Sequence, residues 1–129
     1  MNGRKKYKCC GFTLIELLVV MSIIATLLVI AYPKYFKSVD RSKESALHTD
    51  LNIIRDALDK FYADKGNYPN NLDDLVSKGY LREVPPDPIT DSTQTWVLIP
   101  SPESAHPGVF NIKSGAQGVG SNGKPYSEW

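Results

Sequence analysis

The sequence describes an α+β protein, a long N-terminal helix packed against a small antiparallel-sheet head. Three observations point there. Residues 12–32 form a run of 21 residues in which Glu16 is the only charge. Apolar residues then recur at spacings of three, four or seven as far as Tyr62, the period of one face of a helix. Beyond Gly66 come short runs rich in β-branched and aromatic residues, bounded by Gly and Pro, as strands and turns require. The 129 residues suffice for one modest domain plus an extension.

The first element is a basic leader. Residues 1–11 hold Arg4, Lys5, Lys6 and Lys8 and no acid; eleven of the fifteen basic residues then remain against fourteen acids. No basic stripe follows the leader, which argues against nucleic acid as the main partner. Both cysteines, Cys9 and Cys10, lie in this segment and are adjacent, a spacing that strains a disulfide between them. The head therefore folds without one. Lipidation at a secretory cleavage site needs an apolar segment before the cysteine, and here it comes after.

Next comes the apolar run. At about 1.5 Å per residue, 21 helical residues cover the roughly 30 Å hydrocarbon core of a bilayer. Basic residues before it and mixed charge after it place the leader in the cytoplasm and the C-terminal body across the membrane. The run is longer than the roughly 7–15-residue core of a cleaved signal peptide. A plain anchor would account for everything except Glu16. A carboxylate at the centre of a spanning helix costs about 2.5–3.5 kcal/mol on insertion scales, less toward an end, and usually marks function. A cut between Gly11 and Phe12 would create an α-amino group at Phe12, able to meet Glu16 of a neighbouring chain. That pairing would offset two charges in lipid and fix the axial register between subunits.

The stretch Gly11-Phe12-Thr13-Leu14-Ile15-Glu16-Leu17, after a short basic leader, resembles the prepilin-type processing motif of type IV pilins and type II secretion pseudopilins. The resemblance implies cleavage after Gly11 by an aspartyl prepilin peptidase of the inner membrane, and N-methylation of Phe12. It implies that Glu16 docks the subunit against its predecessor's N-terminus. Glycine suits the cut because it leaves the backbone bare. The expected organisation is a cleaved leader (1–11), a transmembrane and filament-core helix (12–32), the amphipathic half of the same helix (33–65) and an α+β head (66–129).

Pro33 removes a backbone donor and crowds the preceding turn, so the helix could end there. Periodicity resumes at once, however, through Tyr35, Phe36, Val39, Ala46, Leu47, Leu51, Ile54, Leu58, Phe61 and Tyr62. One helix is expected to about Lys65, kinked or locally melted at Pro33, which is counted with Glu16 as an assembly residue. Lys37, Asp40, Lys43, Glu44, Asp50, Arg55, Asp56, Asp59 and Lys60 are assigned to its solvated face. Gly66 supplies a C-terminal cap. Asn70 or Asn71 caps a short helix from Leu72 to Ser77, after which Tyr80 and Leu81 drop into the core. The segment from Lys65 to Val76 again resembles pseudopilins. Thr95–Ile99 and Gly108–Lys113 read as two strands, paired antiparallel on the helix; a third short strand is not placed by the pattern.

The tail from Ser114 to Trp129 contains four glycines, with Tyr126 and Trp129 as its anchors to the head. It resembles the ends of G-type pseudopilins, in which a glycine-rich loop binds calcium, and Ser114, Gln117 and Asn122 are the candidate ligands. Calcium prefers several oxygens, carboxylates among them, and Glu128 is the only acid after Lys113. A metal-free loop held by Tyr126 and Trp129 is the other reading.

Catalysis is not expected. His48 lies on the helix and His106 in a Pro-Gly turn. Asp73 and Asp74 open a helix, where acids favour the dipole, and Asp56 and Asp59 sit on a solvated face. No nucleophile and base come together, and the tail glycines lack the Lys-Ser/Thr and following helix of a phosphate loop. The resemblance implies a structural subunit of the type II secretion pseudopilus, a major one given Glu16 and the small head. Its partners would be copies of itself, other pseudopilins, the prepilin peptidase, an inner-membrane assembly platform with its ATPase, and membrane lipid before assembly. It would begin as a single-pass inner-membrane protein with a periplasmic head. The alternatives are a type IV pilin or minor pilin serving adhesion, twitching or DNA uptake, and an anchored binding domain that never polymerises.

Overall fold

The computed structural model describes residues 10–129. The leader's basic residues and Cys9 lie outside the described residues. The elements are helix α1 (Leu14–Lys65), helix α2 (Leu72–Ser77), strands β1 (Trp96–Pro100) and β2 (Val109–Ser114), and one turn of 3-10 helix at Tyr126–Glu128. The chain divides into two compact units, Met1–Ser38 and Val39–Trp129.

The first unit holds the apolar part of α1. Every described residue from Cys10 to Ser38 is exposed, and the helix is long and apolar enough to cross a membrane. Its two hydroxyls turn back on the backbone: Ser22 donates to the Leu18 carbonyl and Thr26 to the Ser22 carbonyl, both at 2.8 Å. Neither leaves an unsatisfied polar group facing outward, which hydrocarbon would penalise. Pro33 lies inside α1, so the local melting that its sequence position suggests does not occur. Strong helical sequence on both sides outweighs the one hydrogen bond that proline removes.

In the second unit the α1 stripe Leu47, Leu51, Ile54, Leu58 and Phe61 is buried, joined by Ala57. The periodic positions Tyr35, Phe36 and Ala46 are exposed. Gly66 closes the helix in the left-handed region at φ 73°, its N–H donating to the Tyr62 carbonyl at 2.8 Å. Helix α2 is capped at Asn71, whose side-chain oxygen accepts from the Asp74 N–H at 2.9 Å. The Asp74 carboxylate in turn accepts from the N–H of Asn70, the residue before the cap, and ties the entering chain to the helix.

β1 and β2 form a two-stranded antiparallel sheet, with Trp96 opposite Ser114 and Leu98 opposite Ile112. Each strand starts one residue later than its sequence pattern suggests. Thr95 is engaged in the preceding turn, its hydroxyl bonding Thr90 and the Ser92 carbonyl. Gly108 stands at φ 127° against the Tyr68 backbone, where a Cβ would lie 2.5 Å from the carbonyl oxygen. Inward from the sheet, Trp96, Val109 and Ile112 meet the α1 stripe together with Leu72, Leu75, Leu81, Tyr126 and Trp129. The Trp96 indole N–H donates to the Pro85 carbonyl at 2.8 Å, tying the proline-rich connection to the sheet. Leu81 is buried and Tyr80 packs against the core beside Phe61.

Leu58 is fully buried in this core, so Leu58→Ala should lower the stability of the head by about 2–5 kcal/mol. Ala46→Ser, on the exposed face, should change it by less than about 0.5 kcal/mol. Denaturant unfolding of the detergent-solubilised chain, followed by tryptophan fluorescence, checks the difference.

Candidate functional site

Gly11 and Phe12 precede α1 in exposed chain outside any regular element. Nothing lies within 4 Å of where a Gly11 side chain would start, and Phe12 is 89% exposed. Two residues on, Thr13 and Glu16 cap the helix reciprocally. The Thr13 N–H donates to Glu16 Oε2 at 3.3 Å, and the Glu16 N–H donates to Thr13 Oγ1 at 3.2 Å. This is a capping box, which satisfies two of the donors that a helix start leaves open. It also places the carboxylate at the positive end of the helix dipole. Glu16 therefore has a local role in its own helix as well.

A second carboxylate is the larger departure from the sequence pattern. Glu44, assigned to the solvated face, is buried. It lies three residues before Leu47 and seven before Leu51, in phase with the apolar stripe. Its Oε1 accepts from the Ser121 N–H at 2.8 Å and from the Tyr126 hydroxyl at 3.2 Å. Its Oε2 accepts from the Ser121 hydroxyl. One helix side chain thus holds the glycine-rich tail at two points. The Ser121 hydroxyl keeps the Glu44 carboxyl below its usual 4.5; the opposing effect of burial is outweighed with the help of the Ser121 N–H, Tyr126 and the Arg41 charge. Burial, then the bond to Glu44, pushes the Tyr126 phenol up. Gly120 is required here, because a Cβ would stand 2.3 Å from the Trp129 ring.

Arg55, also assigned to solvent, is half-buried and spans from helix to sheet to tail. It donates to Asn111 Oδ1, to the Ile112 carbonyl and to the main-chain oxygen of Trp129, at 2.9–3.0 Å. The signal for both corrections was phase: Glu44 falls on the buried stripe and Arg55 at its edge. Asp87 is fully buried and accepts from the Ser114 hydroxyl and the Ile89 N–H. Burial, with the Asp87 charge nearby, raises the Asp50 carboxyl.

Of the calcium candidates, Ser114 is buried, its hydroxyl donating to Asp87 and accepting from the Ala116 N–H. Asn122 accepts from the Lys124 N–H within its own turn, and Gln117 is exposed. Among the described residues no group of three or more His, Cys, Asp or Glu converges on a metal position.

The histidines serve packing. His48 stacks on Trp129 with ring centroids 4.3 Å apart, and His106 Nδ1 lies 2.9 Å from the Gly66 carbonyl oxygen. A groove of about 410 Å³, lined by Asp73, Glu83 and Trp96 among others, contains no histidine, cysteine or serine.

Residues 6–32 match the family model described as the prokaryotic N-terminal methylation motif; that span includes Gly11, Phe12 and Glu16. The chain is 38% identical over 65 residues to the type IV major pilin protein PilA of Myxococcus xanthus, covering 50% of this chain and 30% of that protein. It is 33% identical over 94 residues to the type II secretion system core protein G of Pseudomonas aeruginosa, covering 60% and 66%. It is 30% identical over 71 residues to the competence protein ComGC of Halalkalibacterium halodurans, covering 55% and 70%. The matched stretch thus falls well short of the first relative's length and just under two thirds of the second's. No solved structure gives a significant match.

Removing the Glu44 carboxylate leaves the Ser121 and Tyr126 donors unpaired, so Glu44→Ala should destabilise the head by about 2–4 kcal/mol. Because folding lowers the Glu44 pKa, its contribution is complete above the unfolded value and fades as pH falls through the folded one. The protection of amides at residues 118–124, taken relative to the intrinsic exchange rate at each pH, should fall on acidification below about pH 4.5 in the parent chain. In Glu44→Gln that pH dependence should be lost.

Proposed function

The chain belongs to the type IV pilin-like pseudopilin family, and on that premise we propose that it is a structural subunit of a type II secretion pseudopilus. Prepilin peptidase cuts between Gly11 and Phe12 and the new N-terminus is methylated. The chain waits in the inner membrane through residues 12–32, with its head in the periplasm. It then leaves the bilayer by packing α1 against α1 of other subunits. Assembly platform and ATPase supply the force, and the growing filament helps drive exported proteins across the outer membrane. Copies of this chain and other pseudopilins are its filament neighbours.

The observation that carries this reading is the geometry around Glu16. Its carboxylate sits four residues after Phe12, exposed and bonded within the described residues only to the Thr13 N–H. Cleavage after Gly11 would set an ammonium one residue away from that cap. In lipid, a neighbour's Phe12 ammonium is the partner that neutralises the carboxylate and sets subunit stagger. The type II secretion role is supported by the similarity to protein G and by a cysteine-free segment after Cys10. Similarity to the Myxococcus pilin supports a second reading, a type IV pilin or minor pilin. Both assign α1 and Glu16 the same work.

Two reasons for Glu16 can be separated by one substitution. Glu16→Gln keeps a capping-box side chain but removes the charge, whereas Thr13→Val removes the hydroxyl side of the box and keeps the charge. Charge pairing predicts that Glu16→Gln abolishes filaments in cells while the subunit stays processed and membrane-bound, and that Thr13→Val still assembles. Normal filaments from Glu16→Gln, counted by electron microscopy of sheared cells, would reduce Glu16 to a cap and favour the anchored, non-polymerising domain. In parallel, Gly11→Leu should leave the precursor uncut, read as an unchanged N-terminus by mass spectrometry.

A further inference from the structure

We propose that residues 32–37 form a headgroup girdle, an aromatic and lysine surface that binds the anionic phospholipid interface where α1 leaves the bilayer. The proposal rests on the reading that the preceding residues span the membrane, and it deepens that reading. Tyr32, Tyr35 and Phe36 are 66%, 66% and 48% exposed. Their rings form one cluster around Phe36, with centroids 4.7 Å from Tyr32 and 5.7 Å from Tyr35. Spacings of three and four put them on one side of the helix. Lys34 and Lys37, also exposed, are three apart and fall on the opposite side. Around its circumference this one segment offers amphipathic rings and ammonium groups.

Lengths select the occupant. The helical residues 14–31 rise about 27 Å, close to the thickness of the hydrocarbon core, and residues 32–37 rise about 9 Å more, about the depth of one headgroup layer. Tyrosine rings with their hydroxyls outward are enriched at that level, and lysine stems lie along apolar surface while their ammonium groups reach phosphate. Two lysines without an acid between residues 31 and 38 complement anionic headgroup phosphates by charge. In water the same cluster would be exposed apolar surface with nothing to cover it. The girdle sets the depth of the span and gives the lipid composition a hold on the subunit before it is drawn into a filament.

The full chain, with Cys9→Ser and Cys10→Ser and a spin label at Ala31→Cys or Val20→Cys, is reconstituted in phosphatidylcholine vesicles with or without phosphatidylglycerol. Label depth is measured by collision with oxygen and with a water-soluble relaxant. The expected result is an Ala31→Cys label at the hydrocarbon edge whose depth shifts on adding phosphatidylglycerol. Lys34→Gln with Lys37→Gln should abolish that shift. Tyr32→Ala, Tyr35→Ala and Phe36→Ala together should move the label by about 3 Å, two residues of rise. Depths insensitive to both sets of substitutions overturn the girdle. A Val20→Cys label open to the water-soluble relaxant would overturn the membrane span itself, which separates the two failures. Label–label coupling that ignores lipid composition and disappears on dilution with unlabelled chain assigns the surface to a second copy and overturns the lipid proposal.

Discussion

A carboxylate four residues into an apolar helix has to be compensated, and how that is done constrains the rest of the molecule. The residues around Glu16 from Leu14 to Ile30 are apolar apart from two hydroxyls. Those hydroxyls are spent on their own helix, Ser22 on Leu18 and Thr26 on Ser22, so neither can serve as its partner. The helix that carries Glu16 is also the one that builds the head. α1 has one sequence made for two surroundings, all apolar in its first part and striped in its second.

The head solves a related problem with another acid. A small domain with a two-stranded sheet has little core, and its glycine-rich tail contributes few apolar side chains to hold itself down. Glu44 and Arg55, two α1 side chains of opposite sign, are turned inward and hydrogen-bonded to main chain and hydroxyls of the sheet and tail. Such bonds to ionised groups are the stronger kind, and they act at a point where apolar burial is thin. The tail is thereby closed by the chain's own carboxylate. Of the calcium candidates, Ser114 is committed to Asp87.

Much of this was legible before the structure. The 3.6-residue period gave the stripe from Leu47 to Phe61, Gly66 its end, Asn71 the cap of α2, and β-branched runs the two strands to within a residue. At two positions residue type and helical phase disagree, and phase wins. Glu44 is charged yet buried, on the same helical face as Leu47 and Leu51. Ala46 is apolar yet exposed, because its phase turns it outward. Arg55 and Asp87 depend on partners 27 to 74 residues away in sequence, and no local pattern reports such a distance. The Thr13–Glu16 box is legible as Thr-x-x-Glu before an apolar run, a near partner for Glu16 beside any distant one.

That near partner sharpens the argument for assembly. A capping interaction contributes about 0.5–2 kcal/mol, while an uncompensated carboxylate at the bilayer centre costs about 2.5–3.5 kcal/mol and somewhat less at the depth of Glu16. The box offsets part of the penalty and keeps the side chain oriented, yet the Thr13 amide and hydroxyl bring no formal charge. Glu44 shows what full compensation looks like in the same helix: three donors, burial, and a pKa held down. Glu16 has one donor at 3.3 Å. An ammonium at a processed Phe12 would supply the missing charge, and it can reach Glu16 of another chain only when two α1 helices lie side by side with a fixed stagger. On the proposed reading, the residual cost of Glu16 in lipid favours association, and the cap keeps its carboxylate positioned to be paired.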